Sequence, residues 1–315
     1  MNGPQFLVDL CRHIGQRTPY WTQGGGGNVS LKVGSGELWI KASGFRLDAV
    51  SAEAGTVPVS LGGLREFLWY PWPEREGEVA YAQALVRFSD SRMAARASME
   101  TGFHALLEMP VVAHFHSLTA LLMAHVHERN PALLLQACPD LAGAVFLPAI
   151  RPGWLLSKAV VPQARAEAII LANHGVILQG SEDGFFSLMD DWMVVEKAFC
   201  RHFGFANVLS LYEAEDALAF AMTEWASVAC PMKIYFPDTA VFRDRLQGVV
   251  EPAATRGLYK LKPDALFQDR SAVELWLATV ALYLACPDLK ELPLEISGVV
   301  RDLPTEQFRR QQEGV

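Results

Sequence analysis

The chain has 315 residues, enough for one large domain or two ordinary ones, and 51% of them are hydrophobic, so a sizeable core can form. Its formal net charge of −8 speaks against a nucleic-acid binder, which carries excess Lys and Arg in at least one stripe. The charged fraction, 20%, is below the usual ~25%, as fits a protein that buries much surface, for instance in an oligomer. Five scattered cysteines (Cys11, Cys138, Cys200, Cys230 and Cys286) show no CxxC spacing and read as buried thiols in a reducing compartment. No basic segment precedes an apolar run at the N-terminus, and no apolar run is long and clean enough to cross a membrane. The expectation is a soluble, cytoplasmic protein with no nucleic-acid or membrane partner.

In chain order, residues 4–17 carry Phe6, Leu7, Leu10 and Ile14 at helical spacing behind Pro4. Residues 28–33 and 37–42 alternate and are joined by Gly-Ser-Gly, which predicts a hairpin. Residues 57–60 read as a strand, 64–70 as a helix, 71–77 as a loop, and a helix follows near 78–88. Ser98 is a candidate N-cap for a helix beginning METGFH, with Glu100 in its first turn. VVAHFH (111–116) is a strand, and Ser117 caps a helix running to about Glu128. Residues 144–148 form a strand, and IILANHGVILQG reads as strand, tight turn, strand. Ser181 opens a long helix. Beyond 205 the texture changes to a helix near 210–228, a strand at 233–238, strand-like pieces near 257–261, a helix over 271–286 and a charged helix over 301–312. The expected organisation is a catalytic domain, 1–205, with a C-terminal extension, 206–315, packed on it.

His114 and His116 are two apart in a strand, so both rings leave the same face. A single histidine in an apolar strand is commonly a core residue, but a same-face pair makes half of a metal site. A catalytic zinc site needs three protein ligands and an open position, and His174 in the Asn-His-Gly turn offers the third. His125 and His127 repeat the spacing on a helix, where residues two apart diverge by about 200°, so they read as a solvated helix end. Glu100 is either a carboxylate favoured by the helix dipole or a base beside the metal. His104, four residues on, is a supporting contact or a core residue. The run Gly24–Gly27 with Asn28 presents backbone N–H groups that suit an anion, or is a flexible loop. Ser43 and Gly44 end the second hairpin strand near the same place. Lys32 and Lys41 lie on the hairpin strands, on a solvated face or making the local field positive.

The segments GGGGNVSLK, LWIKASG, SMETGFHALL, VVAHFHS and LANHGVILQG, in that order, resemble the class II aldolase/adducin family. The likeness is closest to the aldolase part of rhamnulose-1-phosphate-aldolase-like proteins. The resemblance implies a three-layer α/β/α fold around a mostly antiparallel sheet. It implies His114, His116 and His174 as ligands of Zn2+ or another divalent metal, and Glu100 as the catalytic acid/base. It implies Asn28, Ser43 and Gly44 as phosphate contacts, with Gly26, Gly27 and Ser98 as near-matches. Such proteins are commonly tetramers, with sites near subunit interfaces. The implied activity is a retro-aldol lyase acting on a sugar phosphate, with a sugar acid as another small-molecule substrate. On the same scaffold, relatives are epimerases, decarboxylases or dehydratases. Epimerase relatives carry Asp where this chain has Glu100, which favours a lyase. Adducin-like scaffold modules have lost the metal ligands that this chain keeps. Departures are Met99, where a second serine often stands, and the lack of a tyrosine after His127 matching the proton donor of small aldolases.

Overall fold

Polar and apolar residues alternate through β1 (Asn28–Val33), β2 (Glu37–Lys41) is apolar between its polar ends, and the Gly34 turn between them, at φ 58°, lets them pair antiparallel. With β3 (Thr56–Ser60), β4 (Val111–Phe115), β5 (Val145–Leu147), β6 (Ala168–Leu171) and β7 (Gly175–Gly180) they form one seven-stranded sheet, ordered β3-β2-β1-β4-β7-β6-β5. Every pairing is antiparallel except β5 with β6. The computed structural model describes residues 4–90, 95–303 and 306–307.

Both faces of the sheet are covered, which makes the three-layer α/β/α arrangement. Val29, Leu31, Val111, Ala113, Phe115, Val176 and Leu178 belong to a core shared with helices Gln5–Gly15, Leu118–Arg129 and Phe185–Phe203. Their sheet neighbours on the other face, such as Leu38, Ile40, Val112 and Ile177, join two smaller cores with Leu61–Trp69, Thr101–Leu106 and Trp154–Val160. This is the period-two pattern of strands buried on both sides. The larger core runs on without a break into the helices Ala206–Glu213, Ala217–Trp225 and Arg270–Ala285.

Several expected elements differ. The helix expected near 78–88 begins at Glu74, behind Pro73, because proline has no N–H to lose at a helix start. The helix expected over 210–228 is two helices, since the Asp216 side chain accepts from Ala219 N and starts a second one. Ser181 is not a cap: the long helix is Phe185–Phe203, entered through Gly184. Residues 233–236 are not a strand, and the chain passes through Pro237 into a short helix, Pro237–Val241. The strand Tyr259–Leu261 pairs with Val250–Pro252, which sequence periodicity did not reveal. Most of the charged helix expected over 301–312 falls outside the described residues. Among the described residues no helix is long and apolar enough to cross a membrane.

Candidate metal centre

β4 sends Val111, Ala113 and Phe115 into the larger core, so His114 points to the opposite face, and His116 follows it just past the strand end. Register places His114 opposite Asn28 of β1 and Ile177 of β7. The His114 Nδ1 lies 2.9 Å from the Val176 carbonyl oxygen, which only accepts, so the proton sits on Nδ1 and Nε2 presents its lone pair. The third histidine comes from the β6–β7 turn. Asn173 there has φ 56°, and Gly175 has φ 140°. A Cβ on Gly175 would lie 2.2 Å from the Phe115 carbonyl oxygen, so only glycine lets the turn close against β4. The His114–His174 ring centroids are 4.7 Å apart, and His116 is 5.1 Å from each. One nitrogen from each ring lies within 4.8 Å of the others, and all three residues are buried.

Glu100 stands at the N-cap position of Thr101–Leu106, one step ahead of the expected first-turn place. Ser98 is not the cap, and forms the preceding turn instead: its carbonyl accepts from Thr101 N at 3.1 Å and its Oγ from Glu100 N at 3.3 Å. The Glu100 carboxylate is buried and faces two imidazoles, with Oε1 3.2 Å from His174 Nε2 and Oε2 3.6 Å from His114 Nε2. Asn28 Nδ2 donates to Oε2 at 2.7 Å. The Asn28 Oδ1 in turn accepts from His104 Nε2, and His104 Nδ1 accepts from Ser30 Oγ at 2.7 Å. Burial pushes His104 well below the ordinary histidine range, so it is the neutral imidazole this one-way chain requires. His104 is thus a supporting contact, and the cue in the sequence was its position four residues after Glu100.

Burial also lowers His114, and lowers His174 to about 3. Burial alone would raise the Glu100 carboxyl, but the facing imidazoles and the Asn28 amide outweigh it and hold it below the usual carboxylate range. His114 Nε2, both ring nitrogens of His116, His174 Nδ1 and Glu100 Oε1 are buried without a hydrogen-bond partner. Leaving one such atom unmade costs ~1–3 kcal/mol, so this cluster calls for a further polar species. Neutral imidazole nitrogens beside an ionised carboxylate are a donor set that fits Zn2+ or a similar divalent ion.

A pocket opens on these groups, lined by Gly27, Asn28, Ser43, Gly44 and Ser98 from the expected set, and by Gly25 of the same glycine run. Gly26 does not line it. A Cβ there would meet Asp238 Oδ2 at 2.6 Å and His116 Nδ1 at 2.8 Å, so this glycine serves close packing. Two N–H groups of the loop are committed elsewhere, Gly24 N to Glu274 Oε2 at 2.7 Å and Gly26 N to the Gln23 carbonyl at 3.0 Å. Lys41 lines the pocket, its Nζ donating to the carbonyls of Gly25 and Gly27 at 2.7 and 2.9 Å. Lys32 lies elsewhere, donating to Met109 O at 2.5 Å. Pro237, Asp238 and Glu306 of the C-terminal part also line the pocket, though none was among the expected site residues. Among the described residues no tyrosine lines the pocket.

The helical pair His125 and His127 does not converge, as expected, but it is not a solvated end. His127 stacks on Phe146 with ring centroids 3.8 Å apart. His125 is buried near Cys286 and Asp288, and Arg129 already donates to Asp288 at 2.6 Å.

The family described as class II aldolase and adducin N-terminal domain matches residues 5–183. No curated protein matches the chain. Among solved structures, the N-terminal class II aldolase domain of a conserved Thermoplasma acidophilum protein is 26% identical, covering 55% of this chain and 82% of that one at a TM-score of 0.46. YgbL of Klebsiella pneumoniae, for which aldolase, epimerase and decarboxylase activities are all candidates, is 20% identical over 62% of this chain and 87% of its own, at 0.45. The L-fuculose-1-phosphate aldolase of Thermus thermophilus is 16% identical over 62% and 92%, at 0.41. With the family match spanning more than half of its length, the chain belongs to the class II aldolase and adducin family.

Proposed function

We propose that this protein is a divalent-metal-dependent aldehyde-lyase, with Zn2+ as the favoured ion, that cleaves a ketose phosphate or a related sugar by retro-aldol chemistry. The observation that carries the reading is the buried Glu100 carboxylate, oriented by Asn28 and facing two of three converging histidines. His114, His116 and His174 would hold the ion. When bound, it supplies Lewis-acid stabilisation of negative charge that develops on the substrate's oxygens in the transition state. The ionised Glu100 would accept the proton of the C4 hydroxyl as the C3–C4 bond breaks and an aldehyde leaves, and would return that proton to C3, the carbon left carbanionic, which gives dihydroxyacetone phosphate when the substrate is phosphorylated. Asn28 fixes which carboxylate oxygen is spent on the protein, and leaves Oε1 directed at the histidines. Gly27, Asn28, Ser43, Gly44 and Ser98 line the pocket where the distal end of the substrate would lie, and Gly26 supports the loop.

The test is a screen of metal-loaded protein against ketose phosphates and sugar acids, with products identified. The expected result is cleavage to a three-carbon ketone and an aldehyde. Epimerised, decarboxylated or dehydrated products would replace the lyase reading with another reaction of the same scaffold. Protein that neither contains nor takes up a divalent ion would instead be a scaffold module.

A further inference from the structure

The C-terminal part of the chain lies outside the matched family segment, yet it reaches the metal centre. Asp238 Oδ2 is 2.8 Å from His116 Nδ1, a close charge contact short of full hydrogen-bond alignment, and both side chains are buried, at 2% and 4% exposed. His116 differs from His114 in this respect: the ring of His114 is held by a backbone carbonyl of the neighbouring strand, whereas His116 lies beyond the end of β4 and its ring nitrogens have no backbone carbonyl as hydrogen-bond partner among the described residues. We propose that Asp238 is a positioning residue of the metal centre, a carboxylate that fixes the ring and tautomer of His116 so that Nε2 presents its lone pair to the ion. The inference rests on the metal-dependent reading above and extends it, because it makes the C-terminal part a working piece of the site.

The placement of Asp238 is well determined. Thr239 Oγ1 donates to the Phe236 carbonyl at 2.6 Å, and Phe242 N donates to the Asp238 carbonyl at 2.9 Å, which hold the short helix Pro237–Val241. Just before it, the Tyr235 carbonyl accepts from Asn173 Nδ2 at 3.0 Å. Asn173 precedes His174, so the turn that carries one histidine also docks the segment that steadies another. The same Asn173 amide donates to the Lys290 carbonyl at 2.9 Å, a second tie to the C-terminal part. On the other side the packing closes over Gly26, where any Cβ would come within 2.6 Å of the Asp238 carboxylate and 2.8 Å of the His116 ring. A carboxylate on the far nitrogen of a ligating histidine locks its tautomer and raises its basicity, and losing it typically weakens metal binding about 10–100-fold.

The experiment is chelator competition for Zn2+ on the full chain, with the Co2+-substituted visible spectrum as a second readout. Asp238→Ala is expected to bind Zn2+ about 10–100-fold more weakly than wild type, with a changed Co2+ spectrum. Asp238→Asn keeps the volume and one acceptor oxygen, and is expected to fall between the two. Asp244→Asn breaks the Arg301–Asp244 pair of the same C-terminal part without reaching the site, and is expected to match wild type. Should the alanine variant fail to fold, the asparagine variant carries the test. Wild-type affinity and spectrum in the Asp238 variants would overturn the inference while leaving the metal reading intact. Equal weakening in Asp244→Asn would also overturn it, as a general effect of loosening the C-terminal part. A metal-loaded structure with an Asp238 oxygen bonded to the ion at about 2.0–2.2 Å would make it a ligand and overturn the positioning role. Wild-type protein that binds no divalent ion removes the metal reading itself.

Discussion

Three of the four glutamates buried among the described residues, Glu100, Glu196 and Glu274, lie on the two sides of the sheet and are buried differently. Glu274 accepts from both terminal nitrogens of Arg46 at 2.9 Å, from Arg270 at 2.9 Å and from Gly24 N at 2.7 Å. Glu196 accepts from Trp21 Nε1 at 2.5 Å, from Tyr212 at 3.0 Å and from Ser117 Oγ. Both have their oxygens occupied by donors of this chain. Glu100 has one oxygen satisfied by Asn28 and one directed at histidines without a hydrogen bond. A buried carboxylate that the fold fully satisfies does structural work; one left half-satisfied among convergent nitrogens is set up for a ligand.

Variants that strike one side and spare the other test this contrast. His174→Ala is expected to have the largest effect, loss of tight metal binding and of all turnover with the fold retained; stoichiometric metal in the purified variant would break the reading. Glu100→Gln keeps the histidines, so it is expected to retain metal while turnover of an identified substrate falls about 10²-fold or more. Near-normal turnover there would remove Glu100 from the chemistry.

Glu274→Gln belongs to the other class. Arg46 is 24% exposed and keeps Asp48 as a partner, so a stability loss of about 2 kcal/mol is expected in denaturant unfolding, less than for a wholly enclosed pair. A loss of metal with unchanged stability would reverse the assignment. Glu196→Gln has the smallest effect and shows mainly against pH. Burial outweighs the bonds from Ser117, Trp21 and Tyr212 and raises the carboxyl from 4.5 to about 7 in the folded state. The folded protein therefore holds this proton to higher pH than the unfolded chain does. The stability it contributes is complete below about pH 4.5, declines as the pH rises, and is gone above about pH 7. Thermal midpoints at pH 5 and pH 8 should separate more in wild type than in Glu196→Gln, and equal separations would refute the shift.

Much of the site was legible because its signals are local. The two-residue period of a strand puts His114 and His116 on one face whatever surrounds them. The Asn-His-Gly turn is forced by a positive φ at Asn173 and by the approach of Gly175 to Phe115. Ser117 accepts from Ala120 N as a cap three residues ahead should. The family motifs over these stretches brought Glu100 and the three histidines into one expected site, and the chain brings them together. Where local signals misled, a neighbour far off in sequence intervened. Lys32 looked equivalent to Lys41, but its strand position carries it to Met109. The glycine run looked like an open cradle, but Glu274 and Lys41 occupy part of its backbone.

The sequence by itself determined the segments of the seven-stranded sheet, the same-face histidine pair and the tight turn that presents the third, since each depends on backbone preferences within a few residues. Tertiary structure alone decided that Asp238 lies against His116, that His104 orients Asn28 toward Glu100, and which buried glutamates are satisfied. Those contacts join residues tens to hundreds of positions apart. No period or cap encodes them; they follow from which faces must be buried together once the core has formed.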